Sequence, residues 1–162
     1  MTDRISRRML LGGATMIAVS GFAAMGRASN LKARFPYVLT DAQWRAKLSP
    51  AAYHTLRHEA TERPFTSPLD KEKRKGTFVC AGCALPLFLS TTKFDSGTGW
   101  PSFWTPIKGS LGSRTDTLLG YPRTEVHCRR CGGHQGHVFD DGPAPTGKRY
   151  CINGVALRFI AA

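Results

Sequence analysis

Four of the chain's five cysteines fall into two pairs of the same form, Cys80-Ala-Gly-Cys83 and Cys128-Arg-Arg-Cys131. Two such Cys-x-x-Cys knuckles supply four thiolates, the donor set of a closed, tetrahedral and therefore structural zinc site. The 44 residues between the pairs exceed the spacing of a zinc finger, so a shared metal would clamp two distant parts of one domain. Disulfides compete with this reading if the chain works in an oxidising compartment, and a single knuckle can be a redox motif. The repetition of one form makes metal the better reading. It also leaves Cys151 without a partner.

Cys151 lies in Gly147-Lys-Arg-Tyr-Cys-Ile-Asn-Gly-Val-Ala-Leu-Arg-Phe159, rich in β-branched, aromatic and aliphatic residues and opened by the turn-rich run Asp140 to Gly147. Read as one strand, it turns Cys151, Asn153, Val155, Leu157 and Phe159 to a common face, with a thiol and a carboxamide side by side. Lys148 and Arg149 flank the thiol, and cationic neighbours favour the nucleophilic thiolate. The competing reading is a small apolar core residue.

The 162 residues suffice for one domain with a real core, and 21% charged and 41% apolar residues are ordinary for a soluble globular protein. The first segment reads as an address. Asp3 to Arg8 is basic, and Met9 to Gly26 is uncharged and moderately apolar. Gly26 and Ala28 have the small-residue spacing of a cleavage site. Arg7-Arg8 after Ser6 resembles a twin-arginine export signal. An uncleaved anchor is the alternative, but the run is short of the ~20 apolar residues of a span and is diluted by glycines. The expected division is a leader at 1–28 and one domain at 29–162, periplasmic or otherwise exported, with no membrane span after removal. Met1, Met9, Met16 and Met25 all lie in the leader, so the remaining domain has no methionine. That would suit a place where methionine is oxidised. The formal charge of +12 falls to +9 without the leader, which carries four arginines against Asp3. Such a balance favours acidic partners. Basic charge with a double knuckle also raises a zinc-ribbon module binding nucleic acid. The export signal and the lack of a basic aromatic stripe argue against it.

Leu39 to Leu48 reads as a short helix with Thr40 and Gln43 at capping-box spacing and Trp44 and Leu48 on one face. Ser49-Pro50 starts a second helix running to about Glu59. Its His54 and His58 have no third ligand nearby and read as a solvated face. Thr61 to Lys75, polar with two prolines and a charge cluster, reads as an exposed connection. Past Thr77, short apolar stretches alternate with glycine and proline, an all-β pattern. Gly97 and Gly99 precede Trp100-Pro101, which would present Trp100 on a shaped loop, although Trp100, Phe103 and Trp104 also suit a core. His134 and His137 stand three apart within twenty residues of Cys151, a candidate acid–base pair. His127, next to Cys128, is an alternative metal ligand.

Taken in order, Cys80-Ala-Gly-Cys83, Gly99-Trp-Pro-Ser-Phe103, Cys128-x-x-Cys131, His134-x-Gly-His-Val-Phe139, Asp141-Gly-Pro143 and Gly147-x-Arg-Tyr-Cys-x-Asn153 resemble the B-type methionine sulfoxide reductases over residues 38–160. The resemblance implies a mainly β fold of antiparallel, tent-like sheets with short amino-terminal helices and a structural Zn2+ on Cys80, Cys83, Cys128 and Cys131, remote from the active site. It implies reduction of the R epimer of methionine sulfoxide, peptide-bound or free. Cys151 would be the nucleophile, with His134 and His137 protonating the departing oxygen. Asn153 and Arg149 would organise the site and Trp100 would pack on the substrate methyl. Asp141 carries over less firmly, because Asp140 stands beside it. The chemistry suits these residue types: a sulfoxide sulfur is electrophilic only when its oxygen is protonated or hydrogen-bonded, and the product is a sulfenic acid that must be reduced back.

Two departures stand out. Many members carry a resolving cysteine in the loop Ser96 to Gly99, where this chain has Thr98, so no thiol is spare once four hold zinc and one reacts. The expected reductant is therefore an outside thiol or a thioredoxin-like partner. Gly154 and Ala156 also stand where members often have serines. An exported thiol–disulfide redox protein remains the alternative from another reaction class.

Overall fold

The computed structural model describes residues 35–162, so the leader expected at 1–28 lies outside the described residues. Helix α1 is Asp41–Lys47. The Thr40 hydroxyl accepts from Gln43 N at 3.2 Å and the Gln43 carboxamide accepts from Thr40 N at 2.9 Å, the reciprocal cap that the spacing predicts. Helix α2, Pro50–His58, starts on the Ser49 side chain, which accepts from Ala52 N, with proline in its first turn. Trp44, Leu48, Ala52, Tyr53 and Leu56 are buried from these two elements. His58 Nε2 lies 2.9 Å from the Tyr53 hydroxyl, which accounts for that helical histidine without a metal. No helix of the described residues is long and apolar enough to cross a membrane.

Everything after α2 is strand and turn, as the glycine- and proline-punctuated pattern predicts. The strands are β1 (Gly76–Cys80), β2 (Pro86–Leu89), β3 (Lys93–Phe94), β4 (Ser102–Phe103), β5 (Leu111–Asp116), β6 (Arg123–Cys128), β7 (His134–Phe139), β8 (Arg149–Ile152) and β9 (Leu157–Ala161). They form two sheets, β2-β1-β9 and β3-β4-β8-β7-β6-β5, with antiparallel pairing throughout. Aromatic rings weld the sheets together. Phe103 of β4 stacks on Phe88 of β2 at 4.1 Å between centroids and meets Phe78 of β1 edge-on at 4.9 Å, and all three rings are fully buried.

Two expectations are corrected. Residues 147–159 are not one strand, so the five residues from Cys151 to Phe159 do not share a face. β8 ends at Ile152, a 3-10 turn occupies Gly154–Ala156, and β9 joins the other sheet. The propensity is continuous, but the hydrogen bonding changes partner. Asn153 N still donates to Gln135 O of β7 at 2.8 Å, whereas Ala81 N takes the Ala156 carbonyl at 2.9 Å and leads the chain onto β1. Nor is Thr61 to Lys75 merely an exposed connection. Ser67 is buried, Pro68–Lys71 forms a 3-10 turn, and Glu62 reaches the backbone after β8.

Phe103→Ala should cost about 3–5 kcal/mol in denaturant unfolding, because the ring touches both sheets and its cavity cannot collapse. Ile160→Ala, on the 55% exposed edge of β9, should stay within about 0.5 kcal/mol.

Candidate active site

The cleft is built from strand register. Antiparallel pairing of β7 with β8 sets His137 across from Cys151, and pairing of β4 with β8 sets Ser102 across from Cys151 on the other side. The close approach of β7 to β8 needs a glycine between the histidines, since a Cβ on Gly136 would sit 2.0 Å from the Cys151 carbonyl oxygen. Trp100 precedes β4 on a loop where Gly97 and Gly99 both take positive φ, as expected from their spacing. The result is a cleft of about 120 Å³ walled by Trp100 and Phe139, with Cys151, His137, Asn153, Arg123 and Thr61 around it. Trp100 is thus a half-buried wall rather than core, while Phe103 is core.

Cys151 is half-buried, and its burial pushes the thiol above the ordinary cysteine value. Hydrogen bonding from Thr98, whose hydroxyl lies 3.9 Å from Sγ, and the charge and hydrogen bond of Arg149 work against that rise without overcoming it. The cationic flank read from the sequence is weaker than it looks. Lys148 pairs with Asp140 instead, and the Arg149 guanidinium is shared with Asp141 in a two-pronged pair at 2.9 and 2.8 Å while lying over the Phe139 ring. The separate engagement of Asp140 and Asp141 settles which of the two aspartates serves Arg149.

The two histidines occupy different ranks. His137 lines the cleft, and its Nε2 donates to Asp116 Oδ2 at 2.7 Å. Burial lowers its pKa below the ordinary histidine value, opposed by the Asp116 bond and aided by the charges of Arg123 and His134. With Nε2 engaged, Nδ1 is the nitrogen open to exchange a proton. His134 does not line the cleft. It is 2% exposed behind His137, their rings 5.4 Å apart, and its Nδ1 is 2.8 Å from Glu125 Oε1. Glu125 also takes Arg114 Nε at 2.6 Å and His127 Nδ1 at 3.4 Å. Burial alone would raise that carboxyl, but hydrogen bonds from His127 and His134 and the Arg114 charge hold it well below the carboxylate range. His127 is therefore occupied away from the cysteines.

Asn153 lines the cleft, but its carboxamide is engaged on both sides: Nδ2 donates to Gln135 O at 3.1 Å and Oδ1 accepts from Glu62 N at 3.0 Å. Sequence reasoning missed Asp116, Glu125, Arg123, Thr61 and Glu62. All are ordinary polar residues outside any motif, joined to the cleft only by folding.

The second constellation is the four knuckle cysteines, all buried, with sulfurs within 4.8 Å of one another. Cys80 and Cys131 are 3.7 Å apart and Cys83 and Cys128 3.5 Å, far beyond a disulfide bond of about 2.05 Å. Those separations match the edges of a tetrahedron with metal–sulfur bonds of about 2.3 Å. Gln135 Nε2 donates to Cys80 Sγ at 3.6 Å, and Arg57 and Arg130 bond the carbonyls of Cys131 and Cys83. The four thiolates can hold a metal ion.

Asp116 makes the acid response of this layer calculable. The Leu118 N–H first, then His137 and the Arg123 charge, hold its carboxyl down to about 2 against the effect of burial. The unfolded chain takes up that proton near 3.8 and the folded chain only near 2, so this stability is complete above pH 4 or so and drains away toward pH 2. Asp116→Asn should flatten the dependence of the denaturant midpoint on pH over that window.

Residues 48–161 match the SelR domain. A peptide methionine sulfoxide reductase MsrB of Pseudomonas putida is 58% identical over 121 residues, spanning 74% of this chain and 91% of its own. Proteins of the same name from Agrobacterium fabrum and Methanosarcina barkeri are 54% and 53% identical over 121 residues, again 74% of this chain, covering 90% and 85% of theirs. With match, coverage and identity in agreement, the chain belongs to the SelR-domain family of MsrB proteins.

Proposed function

We propose that this protein reduces the R epimer of methionine sulfoxide, peptide-bound or free, to methionine. The observation that carries the reading is the register that sets His137 across from Cys151 in a cleft walled by Trp100. It is supported by relatives of more than 50% identity named peptide methionine sulfoxide reductases.

The resting electrostatics favour a neutral thiol, its proton on Sγ, across from a neutral imidazole. On attack the Cys151 thiol gives that proton to His137 Nδ1, and the thiolate bonds to the sulfoxide sulfur as the imidazolium protonates the sulfoxide oxygen. Transfer of the hydroxyl to Cys151 Sγ breaks the sulfur–oxygen bond and the new sulfur–sulfur bond together and leaves an electron pair on the methionine sulfur, so methionine leaves reduced and Cys151 becomes a sulfenic acid. His134 supports His137 from behind and steadies its orientation. Arg149 favours the sulfur anion, and Asn153 keeps the end of β8 in register. Trp100 packs on the substrate methyl and so reads the stereocentre.

Recycling uses an outside thiol or a thioredoxin-like partner, because the residue next to the reacting sulfur in the Ser96 to Gly99 loop is Thr98. One thiol condenses with the sulfenic acid, releasing water and leaving a mixed disulfide, and a second thiol frees Cys151. Zn2+ on Cys80, Cys83, Cys128 and Cys131 supplies structure: it neutralises four buried thiolates and ties two turns together. We place the activity outside the cytoplasm on the Arg7-Arg8 leader alone.

A peptide with resolved R and S sulfoxides, offered with a small dithiol, should lose only the R epimer, and Cys151→Ser should abolish turnover. Loss of both epimers, or full activity in the variant, would overturn the reading. Peptide mapping after one oxidising turnover should find no disulfide between Cys151 and any other cysteine of the chain.

A further inference from the structure

Residues 61–65 form a strap beside the cleft, which Thr61 lines, and each polar group of Glu62 is bonded to a wall of the cleft or to the turn after β8. The backbone N–H donates to Asn153 Oδ1 at 3.0 Å, and the backbone carbonyl accepts from Trp100 Nε1 at 3.1 Å. The two carboxylate oxygens accept from the N–H groups of Gly154 and, at 3.1 Å, Val155. Phe65 N donates to Gly99 O at 2.7 Å, so the strap also holds the glycine loop that carries Trp100. Behind the same contact, Ser67 Oγ sits where a Cβ on Gly154 would be, 1.8 Å away, so strap and turn fit only with glycine there.

The chemistry proposed above leaves Glu62 without a reacting role: its oxygens face the turn after β8, not Sγ. Its place joins the two things that must keep a fixed separation, the Trp100 wall and the strand end bearing Cys151 and Asn153. We propose that Glu62 is a positioning residue that locks the Trp100 wall to the Cys151–Asn153 segment and thereby sets how tightly, and with which handedness, the sulfoxide is held. This rests on the reductase reading. The half-buried carboxylate suits the task, because two backbone N–H groups otherwise unpaired in the first turn after β8 need both oxygens.

The test compares Glu62→Ala and Glu62→Gln with the unaltered protein. Glu62→Ala should raise KM for an R-sulfoxide peptide roughly tenfold with kcat within about twofold, and narrow the ratio of R to S turnover. Tryptophan emission should shift to the red, a shift absent when the same change is made in a Trp100→Phe background. Glu62→Gln, which keeps one acceptor and loses the other, should fall between, and it decides the matter if the alanine variant does not fold. Unchanged KM and epimer ratio, a loss confined to kcat, or no shift traceable to Trp100 would overturn the proposal. If the unaltered protein turns over no sulfoxide, the reductase reading fails, while the Trp100-dependent shift still reports on the clamp.

Discussion

Cys80 closes β1 and Cys128 closes β6, so the gathered sulfurs join the smaller sheet to the larger one at a point no backbone ladder reaches. As thiolates, four buried sulfurs at that spacing would repel one another without their water, and a cation held among them would make the arrangement favourable. Much else leans on this junction. β3 and β4 are two residues long, and the two sheets meet at the cysteine cluster on one side and at the Phe78–Phe88–Phe103 contact in the middle. Gln135 carries the constraint toward the cleft: its amide bonds Cys80, while its carbonyl accepts both the backbone and the side-chain N–H of Asn153.

The cleft is a balance of opposing electrostatic effects rather than a charged pocket. Burial disfavours charge on both Cys151 and His137, and each is offered a partner too weak to reverse that. The carboxylates stand one layer back, and Arg123 is the charged side chain that reaches the cleft. Asp116 and Glu125 are deeply buried, ionised, and held by arginines on strands β5 and β6, and they fix the histidine rings without entering the cleft. A site built this way fixes the ring of His137 from behind and leaves both it and Cys151 in environments that disfavour charge.

What the sequence discloses and what it hides divides along the chain's own length. The caps on α1 and α2, the cysteine knuckles, the glycines before Trp100 and the His134–His137 pair are legible because each pattern is complete within a few residues. Glu62 is hidden because its partner Asn153 lies 91 residues away, and Asp116 because it meets His137 across 21 residues and two strands. The break after β8 is hidden for another reason. Side-chain propensity runs on without interruption through Asn153, and only the change of hydrogen-bonding partner turns the strand from one sheet to the other. Gly154 shows that even a departure from the family pattern can be structural: the volume a serine side chain would need there is filled by Ser67.

Thr98 has a consequence of kinetic order. A cysteine at 3.9 Å would capture an oxidised Cys151 in a unimolecular step, at a rate fixed by geometry and indifferent to dilution. A threonine hydroxyl cannot condense with a sulfenic acid, so on the proposed chemistry that step becomes bimolecular. The lifetime of the oxidised enzyme is then set by the concentration of another molecule. When thiol is scarce and oxidant plentiful, the same sulfur stands exposed to the irreversible rungs of oxidation, and the fraction of enzyme surviving records the ratio of the two.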